Sequence, residues 1–284
     1  AEDGIRDVER SRGLGDVYKR QPGNILTARG CPFDCIYCAA PVLCGRRYRK
    51  RGIDAVIEEI KDLIRKYSID HVLFSDDTFT VDKGRVYELC DRLEDIGCPI
   101  TWVCSTRVDL VDKELLRRMS EANCKEILFG VESGSQKVLE QIRKEVTVDQ
   151  VRAAVKWSIE VGIKPVCSFM IPHPSDTEET IKETIQFMKE LMNMGASITI
   201  SITTPFPGTY MYAHASELGL RLLTQDWKKY NAKSVVFETK YLKKQDIERL
   251  IKYAASELGV RSARSFLISE NEHSSRFTNS PSGW

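Results

Sequence analysis

Three cysteines carry the most chemistry. The run Arg29-Gly30-Cys31-Pro32-Phe33-Asp34-Cys35-Ile36-Tyr37-Cys38 spaces them as C-x3-C-x2-C. Three thiolates on one short loop can hold three irons of a 4Fe-4S cluster and leave the fourth iron open to a small ligand. An open metal position is a catalytic arrangement. The same residues admit two blander readings, a structural zinc site with Cys44 as fourth ligand and a thioredoxin-type Cys35-x-x-Cys38 pair. No second C-x2-C pair or His pair is present to complete a zinc ribbon or finger, which favours the open cluster. The remaining cysteines, 44, 90, 98, 104, 124 and 167, are scattered and bring the total to an odd nine. They suit small core positions better than a disulfide framework.

A loop of this kind needs a scaffold, and the chain supplies a repeating one. Apolar runs at 24–27, 71–75, 100–106, 126–131, 164–171 and 197–204 alternate with helical patterns at 54–66, 82–96, 112–122, within 135–162, at 176–194 and at 210–219. Six strand-helix pairs in succession predict an α/β fold with a parallel sheet and helices outside it. No Gly-x-Gly-x-x-Gly follows the first strand, so a partial (β/α)6 barrel of the TIM type is expected rather than a doubly wound sheet. Ser175-x-x-Glu178 and Thr147-x-x-Gln150 read as capping boxes, and Asp54 and Asp112 as N-caps. In the sixth strand Ile198, Ile200 and Ile202 alternate with Ser197, Thr199, Ser201 and Thr203, which predicts a barrel whose lumen is polar. Residues 1–21 are expected to lie outside the fold as a non-native or disordered leader, with the true upstream sequence missing. The core barrel should span 22–220, a short strand and helix extension 221–268, and a disordered tail 269–284.

Further motifs make the chain recognisable. Phe74-Ser75-Asp76-Asp77-Thr78-Phe79 follows the second strand, Ser105-Thr106-Arg107-Val108-Asp109 the third, and Phe129-Gly130-Val131-Glu132-Ser133-Gly134-Ser135 the fourth. Thr204-Pro205-Phe206-Pro207-Gly208-Thr209 follows the sixth. With the cysteine run in front, this order resembles the radical S-adenosylmethionine (SAM) superfamily over about residues 22–240. The resemblance is narrower to members that carry an upstream cobalamin-binding domain, close also to the methylthiotransferases.

The resemblance implies a 4Fe-4S cluster on Cys31, Cys35 and Cys38 whose open iron is chelated by SAM. One electron then cleaves the sulfonium, and the 5′-deoxyadenosyl radical takes a hydrogen atom from substrate. It places Tyr37 against the adenine, Asp76 on the SAM ammonium, and Glu132 with Ser133 near the ribose. Ser105 and Arg107 are placed at the methionine carboxylate, although Arg107 could equally pair with Asp109. Strand parity agrees that Asp76 and Glu132 end at carboxyl edges of strands, where barrel sites sit. The chain departs from the family at Ile171-Pro172-His173-Pro174-Ser175-Asp176, where proline removes an amide donor usually offered to adenine. His173 is then a candidate for substrate or proton transfer, set against a structural role.

Composition bounds the rest. The 284 residues carry 42 Lys+Arg against 41 Asp+Glu, which argues against bulk attraction to nucleic acid. Arg46-Arg47-Tyr48-Arg49-Lys50-Arg51 is the one dense basic run, suited to an anion or simply solvated. No apolar run is long enough to span a membrane and no signal h-region is present, so a cytoplasmic protein is expected. The implied partners are a reductant such as flavodoxin or ferredoxin and a small-molecule or lipid-like substrate. Cobalamin would come through the upstream domain. Methyl or alkyl transfer to an unreactive carbon is the leading reaction, methylthio transfer to RNA or protein the alternative, and a zinc-stabilised nucleic-acid-binding module the rival from another class.

Overall fold

The computed structural model describes residues 23–97 and 100–259. The expected leader at 1–21, the tail at 269–284, the end of the expected C-terminal helix and Cys98 lie outside them. Six strands form one sheet: β1 Gly23–Ile25, β2 His71–Phe74, β3 Thr101–Thr106, β4 Cys124–Glu132, β5 Lys164–Ile171 and β6 Ser197–Ile202. Their spatial order is their chain order, and every pairing is parallel. Among the described residues β1 and β6 do not pair with each other, so the barrel is partial, as the strand-helix count predicts.

Helices α1 Ile53–Tyr67, α2 Lys83–Glu94 and α3 Lys113–Glu121 follow the first three strands. The stretch 135–162 divides into α4 Gln136–Gln141 and α5 Val148–Glu160, and α6 Glu178–Met194 precedes β6. Helices α1, α3, α5 and α6 pack against strands of the sheet. Strand residues on the helix-packed face, such as Phe74, Trp102, Phe129, Phe169 and Ile200, are fully buried. Phe74, Phe79 and Trp102 form an aromatic cluster with ring centroids 5.0–5.6 Å apart, and the Trp102 indole N–H donates to the Ala122 carbonyl at 2.6 Å. An indole can be buried whole only when that donor is satisfied.

The other face is the inner wall of the barrel. Leu73, Val103, Ser105, Leu128, Ser168, Met170 and Thr199 alternate with the buried set and are only half-buried. The expected parity of β6 is present: Ile200 and Ile202 face the helices, while Thr199 and Ser201 face inward.

Local signals were read with mixed accuracy. Asp112 caps α3 by accepting from the Leu115 amide at 2.9 Å, and Thr147 with Gln150 closes a capping box on α5. Asp54 does not cap α1. Gly52 does, which leaves Asp54 in the first turn, paired with Arg92 at 2.7 Å. Nor does Ser175 cap α6. The cap falls two residues later at Thr177, whose hydroxyl accepts from the Thr180 amide, because Asp176 is drawn inward to the His173 amide. The helix expected over 210–219 is one turn, α7 Tyr210–Ala213. In the extension, Phe237–Glu238 pairs antiparallel with Arg221–Leu222, and α8 Lys244–Glu257 packs on α6.

Thr177→Ala should therefore cost about 1 kcal/mol in urea unfolding. Ser175→Ala should be neutral or slightly stabilising, because its buried hydroxyl finds no partner.

Candidate active site

The cysteine loop leaves β1 and is pinned from several sides by backbone. Cys31 N–H donates to Gly45 O at 3.2 Å, Ile36 N–H to Ile142 O at 3.1 Å, and Met211 N–H returns to Ile36 O at 2.8 Å. Asp77 takes the Gly30 amide at 3.0 Å. The loop is thus clamped between the turn after α4 and the start of α7. All three of its cysteines are free thiols, and so are Cys44, Cys90, Cys104, Cys124 and Cys167. No three His, Cys, Asp or Glu side chains among the described residues converge closely enough to hold a metal ion.

Burial pushes the Cys35 thiol up, and Cys38 up to about 11. A raised thiol has little thiolate to offer, which disfavours a thioredoxin-type Cys35–Cys38 pair. The surroundings nevertheless fit a thiolate-bound metal cluster, because Cys35 and Cys38 each have a donor beside them, while the hydroxyl beside Cys31 gives its proton to the Asp77 carbonyl at 2.7 Å. Thr78 Oγ1 lies 3.6 Å from Cys31 Sγ, Arg107 Nη1 lies 3.7 Å from Cys35 Sγ, and the Ala40 amide bonds Cys38. Donors of this kind tune and stabilise metal-bound thiolates. The scattered cysteines offer no competing site: Cys90 and Cys167 are buried with thiols pushed up to about 12.

Beside the loop lies a buried ion pair that sequence reasoning missed. Lys144 Nζ sits 2.9 Å from Glu132 Oε1 and 3.3 Å from the Tyr37 hydroxyl, and all three residues are buried. Glu132 ends β4 with φ +73°, an uncommon conformation for a residue with a side chain. Gly130 makes room: a Cβ there would lie 2.7 Å from Glu132 Oε1 and 2.9 Å from Lys144 Nζ. Arg107 joins the same node, its Nη2 donating to the Lys144 carbonyl at 2.6 Å. The guanidinium makes a two-pronged pair with Asp109 through Nε at 2.9 Å and Nη2 at 3.0 Å, and stacks on Phe33 at 3.8 Å. Only a flanking charge of unknown partner marks Lys144 in the sequence, since its contact to Glu132 is made by the turn after α4.

The other expected ligands are placed apart. Asp76, at the end of β2, accepts from the Thr27 amide at 2.6 Å and the Thr27 hydroxyl at 2.5 Å, while burial raises its carboxyl. Ser105 is on the half-buried inner wall of β3. Ser133 is turned to α6, its hydroxyl 3.0 Å from Thr184 Oγ1 and accepting from the Ser135 amide. His173 is fully buried, with its ring centroid 5.6 Å from that of Tyr37 and neither ring nitrogen in hydrogen-bond geometry with a partner. Its backbone amide donates to Asp176 Oδ2 at 2.6 Å. Nearby, the hydroxyls of Thr199 and Thr203 are also buried without partners. Unpaired polar atoms at the inner end of β5 and β6 mark the wall where a polar ligand would be satisfied.

Residues 25–188 match the model of the radical SAM superfamily. The chain belongs to that superfamily, whose cofactors are a 4Fe-4S cluster and SAM. It is 36% identical over 84% of its length to an uncharacterized methyltransferase of Pyrococcus horikoshii, covering 52% of that protein. It is 31% identical over 76% of its length to the bacteriochlorophyllide d C-8(2)-methyltransferase of Chlorobaculum tepidum, covering 49% of it. The chain thus spans about half the length of these relatives. Its fold matches that of the radical SAM methyltransferase TsrM from Kitasatospora setae, solved with cobalamin and a [4Fe-4S] cluster, with TM-score 0.64. That likeness is at 22% identity over 74% of this chain and 43% of the other. Membership removes the zinc-stabilised nucleic-acid module as the reading of the cysteines. No helix among the described residues is long and apolar enough to cross a membrane.

Two outcomes test this geometry. Lys144→Met leaves Glu132 charged, buried and unpaired, and should lower the urea unfolding free energy by about 3–5 kcal/mol, with Glu132→Gln on top restoring part of it. Burial holds His173 below its ordinary value of 6.5, so the unfolded chain takes up its proton first and stability falls as pH drops through that value. The raised Asp176 carboxyl works against this slope at lower pH. Between about pH 7.5 and 6, His173→Phe should remove a slope of up to about 1.4 kcal/mol per pH unit, read by denaturant unfolding at each pH.

Proposed function

We propose that this chain is the catalytic barrel of a radical SAM enzyme that transfers a methyl or alkyl group to an unreactive carbon, working with cobalamin held on an upstream domain. The observation that carries the reading is the inner wall of the barrel. It joins the cysteine loop to a half-buried surface of Leu73, Val103, Leu128 and Met170, interleaved with Ser105, Ser168 and Thr199. Such a wall suits a largely apolar substrate held by a few hydroxyls. The similarity to methyltransferases supports the reaction class.

Cys31, Cys35 and Cys38 would hold the cluster. When bound, the cluster supplies the electron that cleaves the carbon-sulfur bond of SAM. Glu132, held by Lys144, is the acceptor for the ribose hydroxyls, and Tyr37 packs the adenine. Asp76, oriented by Thr27, accepts from the ammonium. Nη1 is the one terminal nitrogen of Arg107 not given to Asp109 or to the Lys144 carbonyl; one of its N–H groups is directed to Cys35 Sγ, and the other, with Ser105, is the part assigned to the carboxylate. Ser133 shapes the turn after Glu132 through Thr184. His173 replaces, by its side chain, polar capacity that Pro172 withdraws from the backbone.

Anaerobic reconstitution tests the assignment. Cys31→Ala, Cys35→Ala and Cys38→Ala should each lose bound iron and sulfide, whereas Cys44→Ala should retain them. Glu132→Gln and Asp76→Asn should weaken SAM binding by about 10- to 100-fold while the cluster's absorbance persists. Iron loss in Cys44→Ala equal to the others would remove the open-site reading. An upstream coding sequence with a cysteine-bearing methylthiotransferase domain would replace methyl transfer with methylthio transfer.

A further inference from the structure

The basic run 46–51 takes no part in the site described above, yet the fold lays it directly on the cysteine loop. Arg49–Lys50 pairs antiparallel with Ala28–Arg29, immediately before Gly30 and Cys31. The connecting segment presses on the loop by backbone: Gly45 O accepts the Cys31 amide, and a Cβ on Gly30 would fall 2.2 Å from Arg47 O. Gly30 alone permits this approach, at φ +96°. Whatever sits on this hairpin is therefore separated from Cys31 by little more than one layer of main chain.

The charges here are not balanced as they are elsewhere on the chain. Arg29 and Arg49 are direct partners across the ladder, so their side chains share a face, and like charges placed opposite each other are destabilising. Arg49 spends its donors on the carbonyls of Cys44 at 2.7 Å and Arg47 at 3.1 Å, with no carboxylate. Among the described residues, the guanidinium groups of Arg29 and Arg47 make no hydrogen bond or ion pair. Arg46 and Arg143 share the single carboxylate of Asp34. Lys50 and Arg51 differ, being paired with Asp82 and Glu59. Five arginines thus face two carboxylates, the ion-paired Asp34 and the exposed Asp77 that takes the Gly30 amide, on a chain whose total charge is nearly zero.

Apolar surface lies within the same patch. The one-turn helix Ala40–Leu43, between Cys38 and Cys44, leaves Val42 49% and Leu43 81% exposed. Tyr210, 37% exposed, carries the Arg143 guanidinium over its ring at 4.2 Å. An apolar centre with a charged rim is the composition of a protein-protein interface. Nucleic acid would also meet the charge. The patch's exposed aromatic ring, Tyr210, is no free platform for bases, because it already stacks on His214 at 3.9 Å and carries Arg143.

We propose that this patch, Arg29, Arg46, Arg47, Arg49 and Arg143 around Val42 and Leu43, docks a small acidic electron-carrier protein with a flavin or iron-sulfur group. The proposal rests on the radical SAM reading, since members of that superfamily need a reductant. In the docked complex one electron leaves the reduced carrier and enters the site of Cys31, Cys35 and Cys38. The carrier is oxidised by one electron, and no bond or proton moves in that step. Opposite charge steers the encounter and makes it salt-sensitive, while the exposed leucine supplies contact.

The test uses the 284-residue chain with an acidic flavodoxin and an acidic ferredoxin as probes. Binding is measured by biolayer interferometry at low and high salt, and SAM cleavage with either carrier or dithionite as reductant. Arg29→Glu with Arg47→Glu should weaken carrier binding and carrier-driven cleavage by at least about tenfold at low salt, leaving dithionite-driven cleavage unchanged. Arg29→Gln with Arg47→Gln should give a smaller loss in the same direction, and Leu43→Asp should weaken binding at both salt levels. Carrier affinity indifferent to these changes overturns the docking surface, even where dithionite still drives cleavage and the catalytic reading stands. Carrier binding at the patch without any dithionite-driven cleavage leaves the surface standing and defeats the catalytic reading. Poly(U) binding that the arginine reversals abolish, with carrier binding intact, also overturns the proposal.

Discussion

The buried contact between Lys144 and Glu132 ties together parts of the chain that otherwise have little reason to meet. Through Glu132 it fixes the carboxyl end of β4 in a left-handed conformation. Through its own carbonyl Lys144 holds Arg107 at the end of β3, and through Nζ it reaches Tyr37 on the cysteine loop. A charged pair taken out of water pays a desolvation cost that its mutual attraction repays only with good geometry and further hydrogen bonds. Here the further bonds are the ones that place the loop, so geometry and energetics support each other. The neighbouring clamp from Ile142 to Ile36, made by the same turn, adds a backbone restraint to the electrostatic one.

Uneven packing of the two faces explains why this barrel can hold chemistry. The helices pack on the outer side of the sheet, and that side supplies most of the strands' aromatic and aliphatic contribution to the core. Among the described residues the inner-wall side chains remain half-buried. A closed barrel of eight strands fills its interior with layered side chains, whereas six strands leave β1 and β6 apart. Substrate space is thus a consequence of strand number.

The cysteine loop illustrates how a site can be held ready while chemically quiet. Burial raises the thiols of Cys35 and Cys38, which lowers their thiolate fraction, and the Arg107 and Ala40 N–H groups stand beside them for the thiolate form. Metal binding must then displace protons from these sulfurs, which couples loading to pH and to the local fold. The basic hairpin lying over Cys31 is part of the same enclosure on the outward side.

Sequence alone determined the parts of this protein that are local or periodic. The C-x3-C-x2-C spacing lies within one loop, and the six apolar runs report burial on a parallel sheet because strand and helix periods differ. The Asp112 and Thr147 caps are readable because a cap bonds within its own first turn. Asp76 and Glu132 do lie at the carboxyl ends of their strands, but two-residue phasing did not carry across to them: Phe74, in phase with Asp76, faces the helices, and the ladder shifts register between Gly130 and Glu132. Tertiary structure decided what those residues touch. That Asp76 is held by Thr27, that Arg107 is shared among Asp109, Cys35 and Lys144, and that Ser133 turns to Thr184 all depend on partners distant in sequence or on turns without periodicity. Ser175 gave way to Thr177 as a cap because a long-range demand, Asp176 turning in to the His173 amide, outweighed a local pattern. Lys144 lay hidden because no spacing rule links it to Glu132; only the turn after α4 brings the ammonium to the carboxylate, where burial makes the pairing obligatory.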